Sequence, residues 1–299
     1  MKLTKGQVIL SIITGIIVCV NLAYFIISKV DKPIVIKKYS ELFFNDRLTI
    51  EMIKENNIEL EEDSEWFPNN GVENISVEFP EINKTYYMSA NSNGDTKNKY
   101  KLLKYNLIMN QEEDLIEYIN EIGPVTLTRA IITDKDKNYD VDLGEITLHP
   151  NKDRYKESKM RQLNSYGNNE EQCIDFYAHE EYYLNKIESR YLDELKKYYD
   201  FYIIVGGENE DREKIFIENI KYPYKIKKDS ILLFVAAKKD NIDIIDLEKY
   251  YDTNIRIEVE NEKKETEYLY LKVKNKESTD LLNEKSILNL KYNDLKNRD

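Results

Sequence analysis

Residues 134–145 read DKDKNYDVDLGE, and oxygen-bearing side chains stand at Asp134, Asp136, Asn138, Asp140, Asp142 and Glu145. These are positions one, three, five, seven, nine and twelve of a twelve-residue loop, the spacing with which an EF-hand wraps calcium. Val141 fills the apolar eighth position. Position six is Tyr139, where the sharp turn wants glycine, and a tyrosine is strained at positive φ. The flanks also alternate rather than wind. The run 125–133, VTLTRAIIT, is rich in β-branched residues, and Tyr139, Val141 and Leu143 alternate with Asp140 and Asp142. This pattern predicts a hairpin turned by DKDKN, with Gly144 suited to a bulge and the ligand spacing a by-product of period-two polarity. Calcium at these six residues is the one cofactor the sequence offers, and outside a cell even weak calcium sites fill.

Other chemistry is sparse. A zincin helix needs a second histidine four residues after the first, but Tyr183 stands there after His179-Glu180-Glu181. A zinc site would require His149, His179, Cys173 and a carboxylate to converge. Cys173 and His179, six residues apart, would lie about 120° apart around a helix of about 3.6 residues per turn, which disfavours a nucleophilic dyad. The run 203–209, IIVGGEN, lacks both phosphate-loop patterns, and the acidic residues after it would repel phosphate. No carboxylate pair stands out among 56 acidic residues. Glu65 adjoins the single Trp, Trp66, with Phe67 next, as a sugar-facing loop or a loop anchored on the core.

The clearest element fixes location. Gly6 to Ser28 is 23 residues without a charge. At about 1.5 Å per residue it can cross a hydrocarbon core of about 30 Å. The run is too long for a signal-peptide core, no small-x-small site follows it, and Val18 before Cys19 spoils a lipoprotein signal. An uncleaved single-pass signal anchor at the cell membrane is expected. Lys2 and Lys5 precede the span, while Lys29, Lys32, Lys37 and Lys38 follow it. That count taken alone would hold the large domain inside. A short basic segment before a single span is, however, the form of an N-in signal anchor, and the domain is read as extracytoplasmic.

Beyond a basic stalk at 29–38, the pattern predicts a helix within 39–60 capped by Asn45 or Asp46, and a strand over 72–80 stopped by Pro80. A helix follows over 110–123 with Leu115, Ile116, Ile119 and Ile122 on one face, Asn110 as cap and Gly123-Pro124 as stop. Helical spacing is read again over 173–199. Strands recur at 200–207, 213–220, 230–237, 255–260 and 265–274, the last two flanking a hairpin. The last twenty residues fit either helix or strand. Short connections between strands indicate antiparallel sheet. The fold class expected is α+β: an N-terminal transmembrane helix, then a mainly antiparallel β-rich region with a few helices, arranged as two sandwich-like units. The divisions are tail and anchor 1–28, stalk 29–38, first α+β unit 39–155, and second α+β unit 156–299.

Composition narrows the function. The net charge of −12 repels phosphate backbones, which removes nucleic acid as a partner. The 2 cysteines, one inside the apolar span, give no disulfide framework. The 24 tyrosines suit strands and half-buried surfaces. The expected function is non-enzymatic binding or assembly at the membrane, with another membrane or surface protein as partner. One alternative is an anchored hydrolase using two carboxylates on cell-wall or sugar substrates. Another is an anti-sigma-like membrane regulator, which requires the large domain to be inside.

Overall fold

The computed structural model describes residues 5–30, 32–43, 46–55, 72–91, 94–97, 99–150, 159–168, 170–207, 212–240, 249–275, 278–282 and 284–296. The first element is helix α1, Lys5–Ser28. Its side chains are described from Ile12 to Ala23, and all of these are exposed. Among the described residues, no helix is long and apolar enough to cross a membrane.

The stalk is part of the folded body. Val30, Ile36 and Lys38 are buried, and strand β1 (Ile34–Val35) pairs with β3 (Arg47–Glu55). Strand β2 (Lys38–Leu42) and β3 replace the helix expected within 39–60. The apolar set Leu48, Ile50 and Met52 has period two, and Ile53 turns to a different cluster on the opposite face. Asn45 lies outside the described residues. Asp46 caps no helix, and its Oδ2 accepts the Phe43 N–H at 2.7 Å.

Strands β4 (Val72–Phe79) and β5 (Lys84–Asn91) form a hairpin, and β6 (Asp95–Lys97) pairs with β7 (Tyr100–Ile108). Helix α2, Glu113–Ile122, lies where expected and buries Leu115 and Ile119. Gly123, at φ 95°, ends it. Its start differs, because a 3-10 turn covers Met109–Gln111 and Glu112 takes the cap position without a side-chain bond. Glu113 and Asp114 instead favour the positive end of the helix dipole. Strands β8 (Val125–Asp134) and β9 (Lys137–Leu148) form the hairpin read from DKDKN.

The helix expected over 173–199 is two strands and one helical turn: β11 (Glu171–Ala178), β12 (Tyr182–Glu188) and α3 (Leu192–Leu195). Ile174, Phe176 and Ala178 face the core with period two, as do Tyr182 and Leu184. Adding Cys173 and Tyr177 from the opposite face made the spacing look helical. Strand β10 (Arg161–Gly167) falls in a stretch for which the sequence predicted no element, and its residues are all exposed, so it carries no buried apolar alternation. The rest of the body is β13 (Tyr199–Gly206), β14 (Glu213–Phe216), β15 (Tyr224–Ile226), β16 (Ser230–Lys238), β17 (Tyr250–Asn261) and β18 (Thr266–Lys274). The last described element is helix α4, Glu284–Lys296.

The fold is mostly antiparallel β with a few helices. A 13-stranded sheet runs β1-β3-β7-β5-β4-β8-β9-β2-β17-β12-β15, with β18 on β17 and β6 on β7. A 5-stranded sheet runs β10-β11-β16-β13-β14. It packs over β12, β17 and β18 around one apolar cluster that includes Phe176, Phe201, Phe234, Ile257 and Leu271. A separate cluster, including Ile50, Val77, Tyr105, Leu127 and Ile146, fills the β3–β9 region. A third cluster brings Leu281, Leu282 and Ile287 back onto Val30, Ile36 and Tyr100.

Candidate functional site at the seam between the two larger cores

Strand β2, KYSEL, joins the two larger cores. It pairs in parallel with β9 along one edge and with the start of β17 along the other. Alternation sends Lys38, Ser40 and Leu42 to one face and Tyr39 and Glu41 to the other. Only two residue pairs tie β2 to β17, Lys38 with Tyr250 and Tyr39 with Tyr251, so side chains complete the join. Ser40 Oγ donates to the Asp252 carbonyl at 2.5 Å, Glu41 N–H donates to Thr253 Oγ1 at 3.0 Å, and Asn254 Nδ2 donates to the Glu41 carbonyl at 2.9 Å.

Glu41 is the hub, with its residue 8% exposed. One carboxylate oxygen accepts from Ser189 Oγ at 2.6 Å and from the Arg190 N–H at 2.8 Å, and the other lies 3.1 Å from His149 Nε2. Phe43 stacks on His149 at 4.6 Å and packs against Tyr270 at 4.5 Å. Burial pushes the Glu41 carboxyl up, but the bonds from His149, Ser189 and Arg190 outweigh it and hold the group below the ordinary carboxylate value. These residues, with Glu188, Asn254 and Arg256, line a cavity of about 310 Å³. Burial likewise raises Glu188, and its bonds to Lys186 and Arg256 reverse the shift.

Serine, histidine and a carboxylate are therefore adjacent, but in the wrong order for nucleophilic catalysis. A hydrolase places histidine between the other two, so that imidazole takes the serine proton. Here the carboxylate sits between them, and Ser189 faces a group held ionised, a weak base. The arrangement staples β2, the end of β9 and the β12–α3 turn together.

The other face of β2 borders a cavity of about 340 Å³. Lys38 and Glu51 pair across it at 3.4 Å, each side chain 5% exposed. Asp46 and Asp252 also line it, with Arg47 and Lys272 among its exposed cations. Burial raises the Asp46 carboxyl, and the Asp252 charge adds to the shift. The Phe43 N–H, Lys272 and Asn254 offset it only in part.

No family model matches the chain, and no curated protein matches it. Among solved structures, the human desmocollin-1 ectodomain is similar over 84% of this chain and 38% of that one, at 10% identity and a TM-score of 0.18. A score that low carries no argument about fold or function.

The six residues with calcium-loop spacing are dispersed by the hairpin. Asp134 pairs with Lys54 at 2.6 Å, Asp140 with Arg129, Asp142 with Lys37 at 2.6 Å, and Glu145 with Arg190 at 2.9 Å. Asn138 Oδ1 accepts from Thr133 Oγ1 at 2.8 Å, and Asp136 sits in the turn at φ 57°. Among the described residues, no group of three or more His, Cys, Asp or Glu is placed to hold a metal ion. His149 rests on Glu41, whereas His179 lies against Tyr177 in the turn between β11 and β12. Cys173 is buried, and burial pushes its thiol up to about 11, far from a reactive thiolate. Gly206 ends a buried strand, and Glu65, Trp66 and Phe67 lie outside the described residues. The sequence reading missed the Glu41 hub. Its parts are 41, 43, 149, 189 and 190 in the chain, and no local spacing announces them.

Proposed function

We propose that this chain is a single-pass membrane protein whose β-rich body, held on the extracytoplasmic side, works by binding or assembly rather than by catalysis. The observation that carries the anchor is the environment of α1. Ile12, Ile13, Ile16, Ile17, Val18, Val20 and Leu22 are 48–62% exposed and point most of the way around the helix. So wide an exposed apolar face calls for an apolar surrounding, and the 23-residue uncharged run of the sequence, of which side chains 12–23 are described, has the length of a bilayer span. The orientation rests on Lys2 and Lys5 marking the inner flank. Of the four lysines after the span, Lys37 and Lys38 are paired with Asp142 and Glu51 in the body.

The binding reading is supported by the seam. It offers two cavities of ligand size lined by polar groups, while its serine, histidine and central carboxylate are ordered as a structural staple. The hydrolase reading has one observation in its favour: Asp46 is raised, the direction a general acid needs, with Asp252 nearby. Against it, Asp46 is bonded to Phe43 and Asn254, and Lys272 stands 3.3 Å from Asp252. Alkaline carbonate washing of membranes tests the anchor. The full chain is expected to stay in the pellet, and a variant with Ile16→Glu and Ile17→Glu is expected to be released. Release of the unaltered chain would refute the anchor.

A further inference from the structure

The cavity beside Lys38, Ser40 and Leu42 has charged groups at two depths. Its inner wall carries Glu51, 4% exposed, whose Oε1 pairs with the buried Lys38 and whose Oε2 has no hydrogen-bond partner among the described residues. Asp252 Oδ1 is in the same condition, lying 3.3 Å from Lys272 Nζ without hydrogen-bond geometry. Buried carboxylate oxygens left without a hydrogen bond are costly even beside a cation, so each has room for an N–H or O–H. A metal ion is not the answer, because no set of three acidic, His or Cys side chains among the described residues is placed to hold one. The mouth has the opposite sign. Arg47 and Lys272 are exposed there, Lys272 reaching in to Asp252, and Lys104 beside them is paired with Asp95.

A purely cationic ligand would leave Arg47 at the mouth without a counter-charge, and a purely anionic one would leave Glu51 Oε2 and Asp252 Oδ1 without donors. A small molecule carrying both charges suits both layers. The volume, about 340 Å³, lies in the range of about 300–1,000 Å³ for small-ligand sites. We propose that this cavity binds a free α-amino acid as its zwitterion, with the ammonium donating to Glu51 and Asp252 and the carboxylate held by Arg47 at the mouth. The proposal deepens the binding reading by naming a ligand class. It does not depend on whether α1 lies in a bilayer, so failure of either leaves the other standing.

The test uses the full chain in detergent micelles. Melting is followed with each of the proteinogenic L-amino acids up to about 10 mM, a range that reaches weak, millimolar sites. Propylamine and propionate at equal ionic strength serve as the singly charged controls. At least one amino acid is expected to raise the melting temperature while neither control does. Glu51→Gln should abolish the shift, and Arg47→Ala, an exposed change that keeps the core intact, should weaken binding about tenfold or more. No shift with any amino acid, an equal shift with the controls, or full affinity in Arg47→Ala would each overturn the proposal.

Discussion

At Glu41 one carboxylate takes three donors from two distant parts of the chain. Replacing it by Gln keeps the shape but turns an amide N–H₂ toward groups that are themselves donors. The expected loss is about 2–4 kcal/mol in urea unfolding with an unchanged slope, the scale for removing charge-assisted buried bonds. The pH dependence follows from the direction of the shift. Glu41 is lower in the fold than its ordinary 4.5, so its contribution is complete above that value and is lost as pH falls through the folded one. The acid limb of the stability curve just below pH 4.5 should therefore flatten in Glu41→Gln. Asp46 is raised and has the opposite sign: its ionisation costs stability as pH rises past the ordinary 3.8. Asp46→Asn is expected to hold or raise stability at neutral pH, since an amide oxygen can still accept from Phe43. A large loss there would mean that the charge itself is needed.

Strands and turns show what the sequence could and could not disclose. The β8–β9 hairpin was legible because its signal is local. A polar turn sits between alternating runs, and Lys135 and Asp136 both take positive φ, 50° and 57°, as a two-residue hairpin loop requires. Gly144 was legible as a bulge. It lies at φ 84°, beside a register shift, and a Cβ there would stand 2.3 Å from the Lys38 carbonyl oxygen. Gly144→Ala should thus cost about 1–3 kcal/mol and loosen β2 from β9, visible as faster amide exchange across Lys38–Leu42. Because Asp134, Asp140, Asp142 and Glu145 are spent on separate partners, calcium should leave the melting temperature unchanged. An upward shift lost in Asp134→Ala and Glu145→Ala would restore the calcium loop. The two misplaced helices failed for one reason: apolar residues from both faces of a strand, taken together, imitate a 3.6-residue spacing. The seam was illegible for a different reason, since its contacts join residues more than a hundred positions apart, such as Glu41 with Ser189 and Asn254.

As a whole, the molecule is an acidic β body whose N- and C-terminal parts meet both at the seam and beside α1. Val30 packs with Leu281, Leu282 and Ile287, and Lys291 Nζ donates to the Lys29 carbonyl at 2.5 Å, one residue after α1 ends. If α1 is held in a bilayer, this contact keeps the C-terminal helix near its surface and leaves the seam with the rest of the body. Sidedness then decides what the protein can meet. The native thiols cannot report it, since Cys173 is buried and Cys19 lies within α1. Tyr87 is 83% exposed on β5, which makes Tyr87→Cys a suitable reporter. The most direct measurement is labelling of this variant in intact cells with a membrane-impermeant maleimide, with permeabilised cells as control. The account predicts labelling of intact cells. Labelling only after permeabilisation would contradict it and place the β body inside.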